Sequence, residues 1–371
     1  MRILHFIYDD PCNKWCAGGG AIRAFEINKR IAEENEIRVF TGNFPGSEND
    51  ENGNLKIKRI GISKSYLLSR ISYSILAPFY LKRFKPDIIV NDFSVFSPLF
   101  CEIFTKKTVI NSFYHFVGKH AFKKYSVFGI FPYLAEKILL KISKNFITIS
   151  PSVTEILKGR LKKERNIRCI YTGISDSIFN QDSPEGTYIA YLGRIDIYMK
   201  GIDVLLNAFS KIERKDIKLK IAGIGKEKDI KTISSMIADL NIEERVEFLG
   251  SLNEDEKRDF ITNSMFFVMP SRFEGWGIVA IEAQACGKAV IGTDIPGLKD
   301  AVKDGETGIL VESENVSALK EAMDILISDE NKRKALGKNG LQWAKNFKWD
   351  NIASDQQKFY TEVLNEACKI N

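Results

Sequence analysis

A doubly wound α/β architecture in two Rossmann-like halves is what the sequence predicts, and three observations predict it. Short β-branched runs alternate with helix-length segments from end to end. Many of the runs are continuously apolar, as parallel strands covered on both faces require. About twelve strands exceed one comfortable open sheet, and 371 residues exceed what one core usually serves. Two halves facing a central cleft meet all three.

In chain order, strands are expected at "RILHFIY", "EIRVFTG", "DIIVND", "TVINSF" and "FITIS". A second set follows at "YIAYLGR", "IKLKIAG", "VEFLG", "MFFVMP" and "AVIGT". Between the sets, residues 171–187, "YTGISDSIFNQDSPEGT", hold turn formers and little periodicity. The expected division is therefore 1–170 and 171–350. The last segment, about 351–371, reads as a helix with Ile352, Phe359, Val363 and Leu364 at roughly helical spacing, expected to pack back on the first domain.

Charge divides the chain at the same place. Residues 1–180 hold 28 Lys and Arg against 16 Asp and Glu, whereas 181–371 hold 26 against 32. A basic half suits a membrane, an acidic substrate or nucleic acid. With no nucleic-acid-binding motif beside it, nucleic acid is set aside. Six scattered cysteines argue for a reducing compartment and against a disulfide framework. Cys12 and Cys16 lack the second pair or the histidines of a zinc site. "MRILHFIY" lacks the features of a signal peptide. "ISYSILAPFYL" is too short to span a bilayer. The expectation is a cytoplasmic protein, soluble or peripheral on the cytoplasmic face of a membrane.

Ligands of open α/β sheets bind beyond the carboxyl ends of strands. "AGGGAIRAFEIN" puts Gly18, Gly19 and Gly20 at the start of a helix, where backbone N–H groups can approach a phosphate. A tight turn explains the same glycines, and the spacing is not that of the dinucleotide fingerprint. "YLGRIDIYMKG" puts Arg194 and Lys200 between a strand and a helix, which suits a diphosphate or two solvated cations. In "SRFEGWGIVAIEAQACGKAV", Gly275 and Gly277 open a helix between Glu274 and Glu282. A carboxylate repels phosphate but accepts hydrogen bonds from paired sugar hydroxyls. A phosphate flanked by two sugars is a nucleotide sugar.

"GRIDIYMKG", "PSRFEGWGIVAIEAQACGKAVIGTDIPGLKDAV" and "GILV" together resemble the retaining glycosyltransferases of family 4, of GT-B fold, whose Glu-x7-Glu pattern matches Glu274 and Glu282. "AGIGKE" and "VEFLG" resemble the family's nucleotide-side loops. The likeness covers nearly the whole chain and is looser in the first half. Arg194 and Lys200 stand six apart, one more than the commonest spacing. The resemblance implies that Arg194 and Lys200 neutralise the donor diphosphate, that Glu282 binds the ribose and that Glu274 binds the transferred sugar. It implies further that the N–H groups of Gly277, Ile278 and Val279 hold the distal phosphate and hexose, with Gly223, Phe248 and Leu249 near the base. Family members also place a histidine close to the reacting centre. His115, after "TVINSF", is the first choice and His120 the second, with a solvated loop histidine as the plain alternative.

The expected reaction moves a hexose from a UDP- or GDP-sugar to a glycan or lipid-linked acceptor, with no cofactor and no metal. An anionic membrane surface is the further expected partner. Rival readings are an epimerase of the same architecture, a non-enzymatic nucleotide-sugar binder, and a nicotinamide-dependent dehydrogenase that the glutamate pair does not fit.

Overall fold

The computed structural model describes residues 1–16, 18–94, 101–114, 130–179, 184 and 186–370. They fall into two compact units, Met1–Thr172 with the chain from Trp349 onward, and Gly173–Lys348.

The first unit runs β1 (Arg2–Phe6), α1 (Gly19–Ile31), β2 (Glu36–Gly42), β3 (Asp50–Asn52), β4 (Leu55–Ile60), α2 (Tyr66–Phe84) and β5 (Ile88–Asp92). It continues with α3 (Cys101–Phe104), β6 (Thr108–Phe113), α4 (Ile130–Ile142), β7 (Asn145–Thr148), α5 (Pro151–Arg160) and β8 (Asn166–Cys169). Its sheet has the order β3-β4-β2-β1-β5-β6-β7-β8, parallel except for the β3–β4 hairpin. Alternate side chains of these strands face opposite layers. Ile3, Ile37 and Val90 face α1. Leu4, Phe40 and Ile89 face Tyr73, Ala77 and Leu81 of α2.

The second unit runs β9 (Tyr188–Leu192), α6 (Ile197–Lys200), α7 (Ile202–Ser210), β10 (Lys218–Ala222), α8 (Glu227–Asp239), β11 (Val246–Gly250) and α9 (Glu254–Thr262). Then come β12 (Phe266–Met269), α10 (Ile278–Ala285), β13 (Val290–Thr293), α11 (Leu298–Ala301), β14 (Gly308–Val311), α12 (Val316–Ser328) and α13 (Glu330–Ala344). All six strands are parallel, in the order β11-β10-β9-β12-β13-β14. A final helix, α14 (Trp349–Ile370), belongs to the first unit, where Ile352, Phe359 and Val363 join the cluster beside α1.

Every strand expected from a continuous apolar run is present. Four strands were not expected. "LKIKRI" of β4 alternates apolar with basic residues, and β3, "DEN", has no apolar residue. β8, "NIRC", mixes polar with apolar, and β14, "GILV", is a short apolar run that the expected set leaves out. One packing detail departs from the sequence pattern. Leu134, Ile138, Leu139 and Ile142 read as one apolar face of α4, yet only Leu139 is fully buried. The buried side is completed by Ala135 and Leu140, while Leu134 and Ile138 point to solvent beside Lys137 and Lys141.

Candidate functional site

From β9 the second sheet winds outward through β10 and β11; from β12 it winds the other way, through β13 and β14. The loops after β9 and β12 therefore flank the topological switch point, where open α/β sheets bind ligands. Arg194 and Lys200 come from the first of these loops, and Glu274 and Gly277 from the second.

Local chemistry fixes the first loop. The Gly193 N–H donates to the Ala222 carbonyl at 3.1 Å, and the Ile195 N–H to that of Ile224 at 2.8 Å. Asp196 caps α6, accepting from the Met199 N–H at 3.0 Å. Gly201 ends this single turn at φ +65°, where an added Cβ would lie 2.0 Å from the Pro270 carbonyl oxygen. That close approach to the end of β12 brings Lys200 to the second loop. Its ammonium pairs with the Glu274 carboxylate, and both side chains are largely buried. Arg194 behaves differently. Its side chain is 66% exposed and stands 3.5 Å from Asp196.

Arg272, which the sequence reading passed over, ties the two loops together. Its guanidinium donates to both oxygens of Asp203 at 2.8 Å and to the Tyr198 carbonyl at 2.8 Å. A further bond reaches Glu314 at 2.8 Å, and the cation sits 4.9 Å from the Tyr198 ring centroid. The hydrogen bonds to Asp203 hold its pKa above the ordinary value. Fork-to-fork pairing fixes direction as well as distance, so the chain two places before Glu274 is anchored to α7. The signal was in "SRFEG", but Asp203 lies 69 residues away in sequence.

Gly277 caps α10 at φ +77°, a conformation side chains rarely adopt. Ile278 and Val279 are the first helical residues, so their N–H groups have no intrahelical acceptor and lie at the positive end of the helix dipole. One turn further on, Glu282 accepts from Lys257 of α9 at 2.7 Å, and Lys257 also meets Glu254 at 2.9 Å. Burial pushes the Glu282 carboxyl above its usual pKa, and Lys257 offsets only part of that. Lys257 is itself depressed by burial, but the two carboxylates more than compensate and raise it. At the same edge of the sheet, the Gly223 N–H donates to the Gly250 carbonyl at 2.7 Å. Phe248 is 39% exposed and Leu249 half-buried on β11.

The first unit has its own switch point, between β1 and β5. Gly18 caps α1, and Gly19 and Gly20 open it, with Gly20 against the Tyr114 ring. Beneath them lies a buried polar network. His5 Nδ1 meets the Asn28 amide at 2.7 Å and its Nε2 lies 3.3 Å from Asp92. Asp92 accepts from the Tyr114 hydroxyl at 2.6 Å. Burial raises the Asp92 pKa, but His5, Tyr114 and Arg23 together outweigh it and hold the carboxyl below the ordinary value. Arg23 donates to the Ile170 carbonyl at 3.1 Å and to Gln356 of α14 at 2.9 Å. His115 and His120 lie outside the described residues. Among the described residues, no group of three or more His, Cys, Asp or Glu side chains is arranged to hold a metal ion.

Comparison with known proteins supplies an independent view. Residues 17–177 match the family description "Glycosyltransferase Family 4", and residues 175–343 match "Glycosyl transferases group 1". CapM of Staphylococcus aureus, a capsular polysaccharide biosynthesis glycosyltransferase, is 31% identical over 63% of this chain and 66% of its own. The chain spans about 60% of the length of the curated relatives that it matches first. Sucrose-phosphate synthase from Thermosynechococcus elongatus superposes with a TM-score of 0.84 at 22% identity, over 98% of this chain and 99% of that one. HepE of Anabaena, solved in complex with UDP-glucose, superposes with a TM-score of 0.77 at 15% identity, over 99% and 100% of the two chains. These superpositions establish a shared GT-B fold. With the two family matches meeting end to end from residue 17 to residue 343, the chain belongs to the family 4 glycosyltransferases.

Proposed function

We propose that this protein transfers a hexose from a UDP- or GDP-sugar to a glycan or lipid-linked acceptor, with retention at the anomeric carbon, in the synthesis of a surface polysaccharide, glycolipid or glycoprotein glycan. The observation that carries the reading is the pairing of Lys200 with Glu274 across the two loops of the switch point, beside the open N-terminus of α10. A cation for a leaving phosphate and a carboxylate for sugar hydroxyls then share one place. Family membership, a relative named for capsular polysaccharide biosynthesis and a structural neighbour holding UDP-glucose all support it.

In this reading Lys200 and Arg194 stabilise charge on the departing diphosphate, the contribution that preorganised charge makes best. The N–H groups of Gly277, Ile278 and Val279 hold the distal phosphate and hexose, Glu282 the ribose, and Glu274 the transferred sugar. Gly223, Phe248 and Leu249 border the base, and Gly18, Gly19 and Gly20 are the donor-binding residues proposed for the first unit. The acceptor hydroxyl attacks the anomeric carbon on the face from which the phosphate leaves. Its proton passes to the departing diphosphate, and His115 is the histidine proposed to take part. Products are the glycoside and a nucleoside diphosphate. The two cations take the role a divalent ion has elsewhere, and no cofactor takes part. No helix among the described residues is long and apolar enough to cross a membrane; we place the protein in the cytoplasm, peripheral to the membrane.

Thermal melts with UDP-, GDP- and ADP-sugars test this. A donor at 100 times its Kd adds about 2.7 kcal/mol. Stabilisation by one UDP- or GDP-sugar, abolished by Glu282→Ala, is expected. No response to any of the three would overturn the reading, and epimer formed without acceptor would replace it with an epimerase.

A further inference from the structure

Helix α2 is apolar on both sides. Its inner side, Tyr73, Ala77, Leu81 and Phe84, fills the core against the first sheet. Its outer side repeats Leu67, Ile71, Ile75 and Phe79 every fourth residue, exposed by 61, 43, 60 and 73%. A surface helix normally turns a polar face to water, and a helix apolar all round is normally buried. Contiguous apolar surface of this kind marks an interaction site.

The same layer extends the patch. Strand order and right-handed crossovers put α2, α3, α4 and α5 on one face of the first sheet, away from α1. α3 exposes Ile103 and Phe104, and α4 exposes Leu134 and Ile138. Cations accompany these residues. Lys64, Arg83 and Lys85 bracket α2, Lys106 and Lys107 follow α3, and Lys137 and Lys141 lie along α4, all exposed. Helix α2 contains no acidic residue. Residues 56–168 hold 22 Lys and Arg against 6 Asp and Glu. Of those six acids, Asp92 and Glu136 are buried, and Glu102 is half-buried.

From this charge and apolarity together we infer that the outer face of α2 is a membrane-seating surface, lying in the interface of an anionic bilayer with the lysines against its headgroups. The inference deepens the acceptor reading above, on which it rests for its purpose. Sign of charge selects the occupant. A second copy docked face to face would set like charge against like, whereas an anionic leaflet is complementary. Apolar side chains entering the acyl boundary, flanked by basic residues, are how an interfacial helix binds. α2 sits flat, because it carries Pro78 and is not apolar enough to span.

Sedimentation of the full chain with phosphatidylcholine vesicles, with and without phosphatidylglycerol, tests the surface. The protein is expected to pellet only with the anionic vesicles, less so as salt rises. The double variant Ile75→Asn with Phe79→Asn keeps the charge and changes two exposed positions. It should bind about a hundredfold more weakly, roughly tenfold for each large apolar side chain withdrawn. Its melting temperature and its response to sugar nucleotide should match the parent's. Parent protein that stays in solution with anionic vesicles at low salt overturns the inference, as does a double variant that pellets like the parent. Self-association of the parent that the double variant abolishes, without vesicle binding, assigns the face to a second copy and overturns it too. Vesicle binding is measured without donor, so a missing sugar-nucleotide response counts only against the proposed reaction.

Discussion

Glu282 and Arg272 show what one residue can and cannot announce. The Glu-x7-Glu spacing was legible because both acids sit within one loop–helix segment. The partners of those acids were not, since Lys257 lies 25 residues before Glu282 and Lys200 lies 74 before Glu274. Pairing made by the fold leaves no mark on local spacing. It does leave a thermodynamic one. Burial holds the Glu282 carboxyl above its usual 4.5, so the folded protein binds this proton more tightly than the unfolded chain. The corresponding stability is fully present below pH 4.5 and is lost as pH rises through the folded value. Glu282→Gln removes the titration. The melting temperature of the variant relative to the parent should therefore be more favourable at about pH 7 than at about pH 4. A difference independent of pH across a melting series would show that the carboxyl titrates normally.

At the scale of the element, the start of helix α10 joins backbone conformation to the proposed donor site. Apolar "IVAIEAQA" makes a buried helix whose start is set by Gly277 at φ +77° and by contact with α11. A Cβ on Gly277 would meet Leu298 Cδ1 at 2.9 Å. Gly277→Val adds that clash to a left-handed backbone penalty of about 1–2 kcal/mol, so it should lower the melting temperature and weaken donor binding by tenfold or more. Gly305 supplies the control. It has φ +70°, but nothing lies within 4 Å of its added Cβ. Gly305→Ala should cost stability alone and leave donor affinity unchanged in calorimetric titration; equal loss of affinity in both variants would separate the helix start from binding. Elements of this kind were visible as a strand, a glycine turn and an apolar run. Less visible were β3 and β4, where the alternation of "LKIKRI" and the absence of apolar residues in "DEN" hide the strands from a search for apolar runs.

For the molecule as a whole, chain connectivity sets which part stands alone. Gly173–Lys348 is continuous and contains its own core, from Ile189 on β9 to Leu336 on α13. The first unit is split, because α14 brings Ile352, Phe359, Tyr360 and Val363 back into the cluster that α1 and the first sheet begin. The apolar spacing of α14 was legible in the sequence. Its packing on the first domain was an expectation as well; the polar tie that anchors it there is not a local property, because Arg23 and Gln356, which join α1 to α14, are 333 residues apart. Removing α14 withdraws four large buried side chains, each contributing about 1.5–3 kcal/mol, from a unit whose total stability is on the order of 5–15 kcal/mol. It also leaves the buried Arg23 guanidinium short of one acceptor, a further cost of about 1–3 kcal/mol. Residues 1–172 expressed alone should therefore fail to fold, whereas residues 173–348 should unfold cooperatively and bind the donor nucleotide. Amide spectra of the two fragments decide it. Dispersed signals from 1–172 without α14 would mean that the helix merely covers a core already complete, and collapsed signals from 173–348 would mean that the second unit depends on the first.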